Sequence, residues 1–230
     1  TAYAESFGAL GQGMNEAAAV MVDDQHKTIV SVTVWRDQGA LDADALDAFL
    51  ARVPSDVLVM LDEAYIEFVQ DSAIDGIALQ REHANLVVLR TFSKAHGLAG
   101  LRVGYAVGDP AVLRGADLCG VPLSQTSLAS AAAIAALAHR DETYARIDVL
   151  AAQRDALWQR IVDAGVPVPR PFGNFVWVPS QQGQEEAIHD ILAANRIVAK
   201  VFADGVRISV GEPEADDHIV AAAVEIQALQ

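Results

Sequence analysis

The chain has 230 residues, of which 52% are apolar, and a formal net charge of −15 at pH 7. Its length allows one large domain or two smaller ones, and its apolar share excludes a disordered chain. The negative charge argues against nucleic acid and anionic membranes as partners, because both are bound through basic patches.

Strands and helices alternate along the first half of the chain. Residues 15–22 are rich in alanine and predict a helix, whereas β-branched residues alternate over 28–34, which is typical of a strand. Leucines at helical spacing predict a helix over 42–51. Short apolar runs then predict three more strands, at 56–61, 86–90 and 103–107. This order predicts a mostly parallel sheet covered on both faces, a three-layer α/β sandwich.

The pattern changes after residue 110, where short strands and longer helices predict an α+β segment. Two consecutive helices are predicted over 127–139 and 141–164. The remaining predicted elements are a strand at 175–178, a helix at 184–195, a β pair at 197–202 and 206–210, and a helix from 214. We therefore expect a large domain over 1–135 and a smaller C-terminal domain over 136–230.

One lysine follows the predicted strand at 86–90, in the segment TFSKAHGLAGLRVGY over 91–105. A lysine at the end of a buried strand is poorly hydrated, so we expect the pKa of Lys94 to be lowered. Only a neutral amine attacks a carbonyl group. The segment therefore predicts that Lys94 binds an aldehyde cofactor.

Asp62 ends the predicted strand before that one, and ligands of parallel sheets lie at the carboxyl ends of the strands. Asp62 and Lys94 are therefore expected to face one crevice. A carboxylate that keeps a ring nitrogen protonated, beside a lysine that binds an aldehyde, is typical of a pyridoxal phosphate site. Arg102 and Ser93 would bind the phosphate, through a guanidinium and a hydroxyl group.

Four segments resemble fold-type I pyridoxal-phosphate aminotransferases, in the branch that acts on histidinol phosphate and aromatic amino acids. They are LDEAYIEF at 61–68, VLRTFSKAHGLAGLRVGYAVGDP at 88–110, GNFVW at 173–177 and IVAKVFADGVRISVGEPEADD at 197–217. The resemblance covers most of the chain from about residue 42 onward.

The resemblance implies a role for each matching residue. Asp62 would pair with the pyridine nitrogen, and Tyr65 would hydrogen-bond the ring hydroxyl oxygen. Lys94 would bind the cofactor covalently and move the substrate α-proton. Ser93 and Arg102 would contact the phosphate.

Two further parts of the site are implied in the same way. GQGMNE at 11–16 resembles the family's glycine-rich loop, so Gly13, Met14 and Asn15 would bind the phosphate at a helix start. Arg207 would bind the substrate carboxylate. The implied reaction is transamination of histidinol phosphate or an aromatic amino acid with 2-oxoglutarate, by a homodimer.

Some pieces of the family pattern have no counterpart in this sequence. The N-terminal arm is missing, and VTVWRDQG at 32–39 stands where an Asn-Pro-x-x-Pro-x-Gly loop is expected. Either the chain joins separate segments of a longer protein, or it is a shortened relative. We favour the first alternative, because deleting a strand and its crossover would expose the core.

Two other functions remain open on the sequence alone. Decarboxylases of phosphorylated amino acids share the lysine and the aspartate, and a non-catalytic relative could retain the fold. The location is expected to be cytoplasmic, because Cys119 is the single cysteine and no apolar run is long enough to span a bilayer.

Overall fold

The computed structural model describes residues 18–22, 28–33, 43–69, 75–122 and 124–230. The chain divides into two compact units, one ending at Tyr144 and the other beginning at Ala145. Each unit has its own sheet. Within the described ranges, no helix is long and apolar enough to cross a membrane.

The first unit contains a five-stranded sheet in the order β1-β2-β3-β4-β5. Its strands are β1 Ala18–Val22, β2 Thr28–Thr33, β3 Leu58–Asp62, β4 Leu86–Thr91 and β5 Gly104–Val107. The β2–β3 and β3–β4 pairs are parallel, and the two edge strands β1 and β5 pair antiparallel. The predicted strands at 28–34, 56–61, 86–90 and 103–107 are thus confirmed within one or two residues at their ends.

The predicted helix over 15–22 is wrong from Ala18 onward. β1 pairs residue for residue with β2, from Ala18 opposite Val32 to Val22 opposite Thr28. Alanine favours a helix by only a few tenths of a kcal/mol per residue (about 0.5), and pairing with a neighbouring strand overrides so weak a preference. Residues 15–17 lie outside the described ranges.

Four helices accompany this sheet in the described part of the unit. They are α1 Ala43–Leu50, α2 Gly76–Glu82, α3 Pro110–Cys119 and α4 Ser127–Ala138. The main buried cluster joins α1 to one face of the sheet, through Leu46 and Leu50 against Val59, Leu86 and Val88. The predicted helices over 42–51 and 127–139 are confirmed.

Two of these helices were not predicted, although each begins at a capping aspartate. Asp75 accepts hydrogen bonds from the backbone N–H groups of Ile77 and Ala78 at the start of α2. Asp109 accepts one from Ala111 at the start of α3, where Pro110 occupies the first turn. An aspartate followed by proline is a sequence signal for a helix start.

The second unit packs helices against a three-stranded antiparallel sheet in the order β6-β8-β7. Its elements are β6 Phe175–Pro179, α6 Glu185–Ala194, β7 Lys200–Phe202, β8 Gly205–Ser209 and α7 Asp216–Gln227. The long helix α5, Arg140–Asp163, runs across the division between the units. The core includes Leu157, Ile161, Ile188, Val206 and Ile226, each fully buried.

Candidate active site

Asp62 and Lys94 lie at the same edge of the parallel strands. Asp62 is the last residue of β3 and stands opposite Leu89 of β4, while Lys94 follows Thr91, where β4 ends. Asp62 is half-buried, and its Oδ1 accepts a hydrogen bond of 3.0 Å from the N–H of Ala64. The two residues thus follow the ends of neighbouring parallel strands.

The carboxylates of Asp62 and Glu63 point to opposite faces, because successive side chains of an extended chain alternate. Glu63 continues the buried face of Val59 and Leu61. Its Oε2 lies 2.8 Å from both Nε and Nη2 of Arg90, and its Oε1 accepts a 3.1 Å hydrogen bond from the Gly76 N–H. Burial raises the pKa of Glu63, and the bond to Arg90 limits that rise.

The Glu63–Arg90 pair was not predicted from the sequence. The sequence signal that could have revealed the pair is the alternation of inward and outward side chains along a strand. Glu63 and Arg90 each lie two positions after a buried residue of their strand, and therefore on the same face. Glu63 thus belongs to the core, and Asp62 is the carboxylate that is left for the sheet edge.

Tyr65 lies beside the lysine. The Nζ of Lys94 is 5.1 Å from the centroid of the Tyr65 ring, and both residues are half-buried. A short 3₁₀ turn, Ile66–Phe68, follows Tyr65, with a 3.0 Å hydrogen bond from the Phe68 N–H to the Tyr65 carbonyl. The structure therefore brings Lys94 together with Tyr65, which lies three residues after Asp62 ends its strand.

The loop that carries the lysine is closed by its own hydrogen bonds. Thr91 Oγ1 is 2.9 Å from Ser93 Oγ and accepts a 3.0 Å hydrogen bond from the Ser93 N–H. The buried ring of Phe92 lies 4.8 Å from that of His96, measured between centroids. The Leu98 N–H returns to the Phe92 carbonyl at 2.9 Å. These contacts hold Lys94 on a packed loop, with two hydroxyl groups next to it.

Arg102 ends the 3₁₀ turn Ala99–Leu101 in a left-handed conformation, with φ of 53°. A side chain other than glycine is strained there by about 1 kcal/mol. The guanidinium is exposed and donates a 3.0 Å hydrogen bond to the Ala99 carbonyl. The guanidinium of Arg102 is therefore an accessible cation, eight residues after Lys94.

Arg207 belongs to the second unit, in the centre of β8. Its partners in register are Trp177 of β6 and Lys200 of β7. The Arg207 guanidinium carbon lies 5.5 Å from the Phe175 ring centroid, and Lys200 Nζ lies 4.9 Å from that of Phe202. One face of this sheet therefore presents two neighbouring cations, each resting on an aromatic ring.

Trp177 packs against Phe202 and Gly205. Its ring centroid is 5.5 Å from that of Phe202, and its indole lies so close to Gly205 that a Cβ there would be 2.4 Å from Cζ2. Gly205 is thus required by the close approach of the indole. Gly13, Met14 and Asn15, the predicted glycine-loop residues, lie outside the described ranges.

The groups at the sheet edge match the chemistry of pyridoxal phosphate. An amine, a carboxylate and a phenol, from Lys94, Asp62 and Tyr65, suit an aldehyde, a pyridinium nitrogen and a ring hydroxyl. The hydroxyl of Ser93 and the guanidinium of Arg102 suit a phosphate. The residues present therefore fit this cofactor.

Comparisons with known proteins agree with this chemistry. The family profile "Aminotransferase class I and II" matches residues 39–223. An aromatic amino acid aminotransferase from Mycobacterium marinum is 44% identical over 178 residues, which are 77% of this chain and 49% of that protein. The chain spans about half the length of the curated relatives it matches.

Solved structures show the same fold. Histidinol-phosphate aminotransferase from Sinorhizobium meliloti, in complex with pyridoxal-5'-phosphate, matches with a TM-score of 0.71 at 31% identity. That match covers 83% of this chain and 54% of the other. L-threonine-O-3-phosphate decarboxylase from Porphyromonas gingivalis also gives a TM-score of 0.71, covering 91% of this chain and 67% of that one. At 21% identity the latter shows the fold alone.

Proposed function

The chain belongs to the class I and II aminotransferases, and from this premise we propose that it carries the lysine-bearing part of a pyridoxal-phosphate transaminase. The observation that carries the proposal is the group at the edge of β3 and β4. There Lys94 lies beside the Tyr65 ring, and Asp62 ends the neighbouring parallel strand.

Each residue has a definite task in this proposal. Bound pyridoxal phosphate supplies an aldehyde for the substrate amine and a ring that accepts electrons. Asp62 holds a proton on the ring nitrogen, and Tyr65 hydrogen-bonds the ring hydroxyl oxygen. Lys94 Nζ takes up the substrate α-proton as a base and returns it as an acid. Ser93 and Arg102 bind the phosphate, as do Gly13, Met14 and Asn15 of the glycine loop.

The face of the small sheet supports a substrate that combines an anionic group with an aromatic one. Arg207 and Lys200 stand in register, and like charges placed opposite each other are unfavourable unless an anion lies between them. Phe175, Trp177 and Phe202 surround the cations with flat apolar surface. We propose Arg207 as the carboxylate ligand, an aromatic amino acid or histidinol phosphate as the donor, and 2-oxoglutarate as the acceptor.

Several wider features of the proposal follow from family resemblance. They are a homodimer, a cytoplasmic location, a complete large domain with the form of a three-layer sandwich, and a domain boundary near residue 135. Decarboxylation is the second function to consider, and it is supported only by the shared fold. The 44% identity to an aromatic amino acid aminotransferase favours transamination. Assays of keto-acid formation and of CO₂ release separate the two reactions.

The test uses the small number of lysines in the chain, which are Lys27, Lys94 and Lys200. The protein is mixed with pyridoxal phosphate, reduced with borohydride and digested, and the modified lysine is located by mass spectrometry. We expect the label on Lys94 and a visible absorption band that is lost in Lys94→Ala and kept in Lys200→Ala. A label spread over all three lysines, or no band, would contradict the proposal and favour a non-catalytic relative.

A further inference from the structure

Thr91 is the last residue of β4, and its hydroxyl group has no task in the proposed reaction. A β-branched residue suits the end of a strand, but valine would suit it equally well, so the strand alone does not account for the hydroxyl. Thr91 is half-buried, and its Oγ1 contacts two groups of Ser93, which is a proposed phosphate ligand. Any role of the Thr91 hydroxyl must therefore act first on Ser93.

The first contact fixes the backbone of Ser93. The Ser93 N–H donates a 3.0 Å hydrogen bond to Thr91 Oγ1. A threonine hydroxyl that accepts from the N–H two residues later closes a small turn of the chain. This turn lies directly before Lys94, at the point where the chain leaves β4. The Thr91 hydroxyl thus holds the peptide group that joins Phe92 to Ser93.

The second contact decides where the two hydroxyl protons lie. Thr91 Oγ1 and Ser93 Oγ are 2.9 Å apart, and each hydroxyl group has a single proton to donate. Only one of the two protons can lie between the oxygens. If it is the proton of Thr91, the proton of Ser93 is left for another acceptor. If it is the proton of Ser93, the proton of Thr91 has to find another acceptor.

The neighbouring acceptors favour the first of these arrangements. A second acceptor near Thr91 Oγ1 is the Val103 carbonyl, at 3.5 Å, which is the outer limit of a hydrogen bond. That carbonyl already accepts a 3.1 Å hydrogen bond from the Phe92 N–H. Ser93 Oγ, at 2.9 Å, is the nearer acceptor for the Thr91 proton. The Ser93 hydroxyl can then donate its own proton to an anion.

We propose that Thr91 is a positioning residue for Ser93, holding its N–H and its Oγ so that the Ser93 proton is directed to a phosphate oxygen. Thr91 acts on the phosphate only through Ser93 and is not itself a ligand. The inference rests on the proposed function, because it takes Ser93 as a phosphate ligand. It accounts for the two adjacent hydroxyl groups, since one donates to the anion and the other keeps that donor from turning away.

The first experiment is a double-mutant cycle on the affinity for pyridoxal phosphate, measured by absorbance titration. Thr91→Val keeps the shape of the side chain and removes the hydroxyl, and Ser93→Ala removes the proposed ligand. We expect Thr91→Val to weaken binding about tenfold, because it releases a hydrogen bond to a charged group. In the Ser93→Ala background we expect the same substitution to change the affinity less than about twofold. Equal factors in the two backgrounds would overturn the proposal, because Thr91 would then act independently of Ser93.

Matched controls separate positioning from a general loss of structure. Pyridoxal lacks the phosphate, so Thr91→Val should bind it as the wild type does, and an equal loss for pyridoxal would overturn the proposal. Thr91→Ser keeps the hydroxyl and should keep the affinity for pyridoxal phosphate. Thr143→Val removes a hydroxyl that bonds the His139 carbonyl at 3.2 Å, and it should leave both affinities unchanged. A Thr91→Val effect no larger than that of Thr143→Val would also overturn the proposal.

The second experiment uses the chain without cofactor. Amide hydrogen exchange at Ser93 measures the hydrogen bond from its N–H to Thr91 Oγ1. We expect exchange about tenfold faster in Thr91→Val than in the wild type, and unchanged exchange in Thr91→Ser and Thr143→Val. Unchanged exchange in Thr91→Val would overturn the holding of the Ser93 backbone. A wild type that binds no pyridoxal phosphate would overturn both the directed proton and the proposed function, whereas the exchange experiment would still decide the contact between Thr91 and Ser93.

Discussion

Replacing Arg90 by methionine removes the cation that compensates the buried carboxylate of Glu63. The Glu63 side chain is 4% exposed and that of Arg90 20%, so the variant leaves a carboxyl group with little access to water and, among the described residues, with the Gly76 N–H as its remaining hydrogen-bond donor. Breaking one side of a buried ion pair costs about 3–5 kcal/mol. Because water reaches part of the Arg90 site, we expect the lower end of that range, about 3 kcal/mol.

The loss should depend on pH in a defined direction. Burial already raises the pKa of Glu63 above 4.5, and Arg90 is the group that opposes this rise. Without Arg90 the folded-state pKa is higher still, so the acid takes up a proton and the penalty is small at low pH. Stability of Arg90→Met should therefore fall, relative to the wild type, as the pH rises from 5 to 8.

The assay is urea unfolding followed by far-ultraviolet circular dichroism at pH 5 and pH 8. The control is Arg160→Met, which breaks ion pairs with Asp216 and Asp217 at a site where Arg160 is 44% exposed, and which should cost less than about 1 kcal/mol. The double variant Glu63→Gln/Arg90→Met removes both charges and should recover much of the loss. Equal losses at the two pH values, or a loss no larger than that of the control, would refute the reasoning.

Three further outcomes can be measured on the same chain. Gly205→Ala should lose about 1–3 kcal/mol, because its Cβ would lie 2.4 Å from Trp177, whereas Gly211→Ala has open space and should change little in the same urea assay. Ile226→Ala empties a fully buried site and should lower the free energy of unfolding by about 2–5 kcal/mol; a change below 1 kcal/mol would contradict the assigned core. Arg102→Gly removes the strain of a left-handed residue and should raise the free energy of unfolding by up to about 1 kcal/mol. The same variant should bind pyridoxal phosphate more weakly, as measured by absorbance titration. Unchanged affinity would remove Arg102 from the phosphate site.

The sequence was most informative where function is concentrated at the ends of strands. Asp62 and Lys94 could be placed together because an apolar run fixes the end of a parallel strand, and neighbouring strands end at one edge. Tyr65 was added only by the resemblance of LDEAYIEF to the family motif. The placement of Asp62 and Lys94 needed only local patterns and a rule about sheets, and in the structure Lys94 lies beside Tyr65 while Asp62 ends the neighbouring strand.

The sequence was least informative where long-range pairing decides the structure. The alanines of β1 favour a helix locally, but their pairing with β2 makes a strand. The bond between Glu63 and Arg90 joins residues 27 positions apart, so no local window contains both partners. The same limit applies to Gly205. Only the folded structure shows that Trp177 lies over this position and leaves no room for a side chain.

Because Asp62 and Glu63 lie on opposite faces, a misalignment of β3 during folding would have a specific consequence. If β3 slipped by one residue against β4, every side chain of the strand would change faces. Asp62 would then point toward Arg90, and Glu63 toward the lysine. A misaligned chain would lose its core and the proposed cofactor carboxylate, Asp62, in a single event. Because the adjacent acids lie on opposite faces, no chain can keep its core and yet place the wrong carboxylate at the sheet edge. Binding of the cofactor would therefore report correct alignment of the strands.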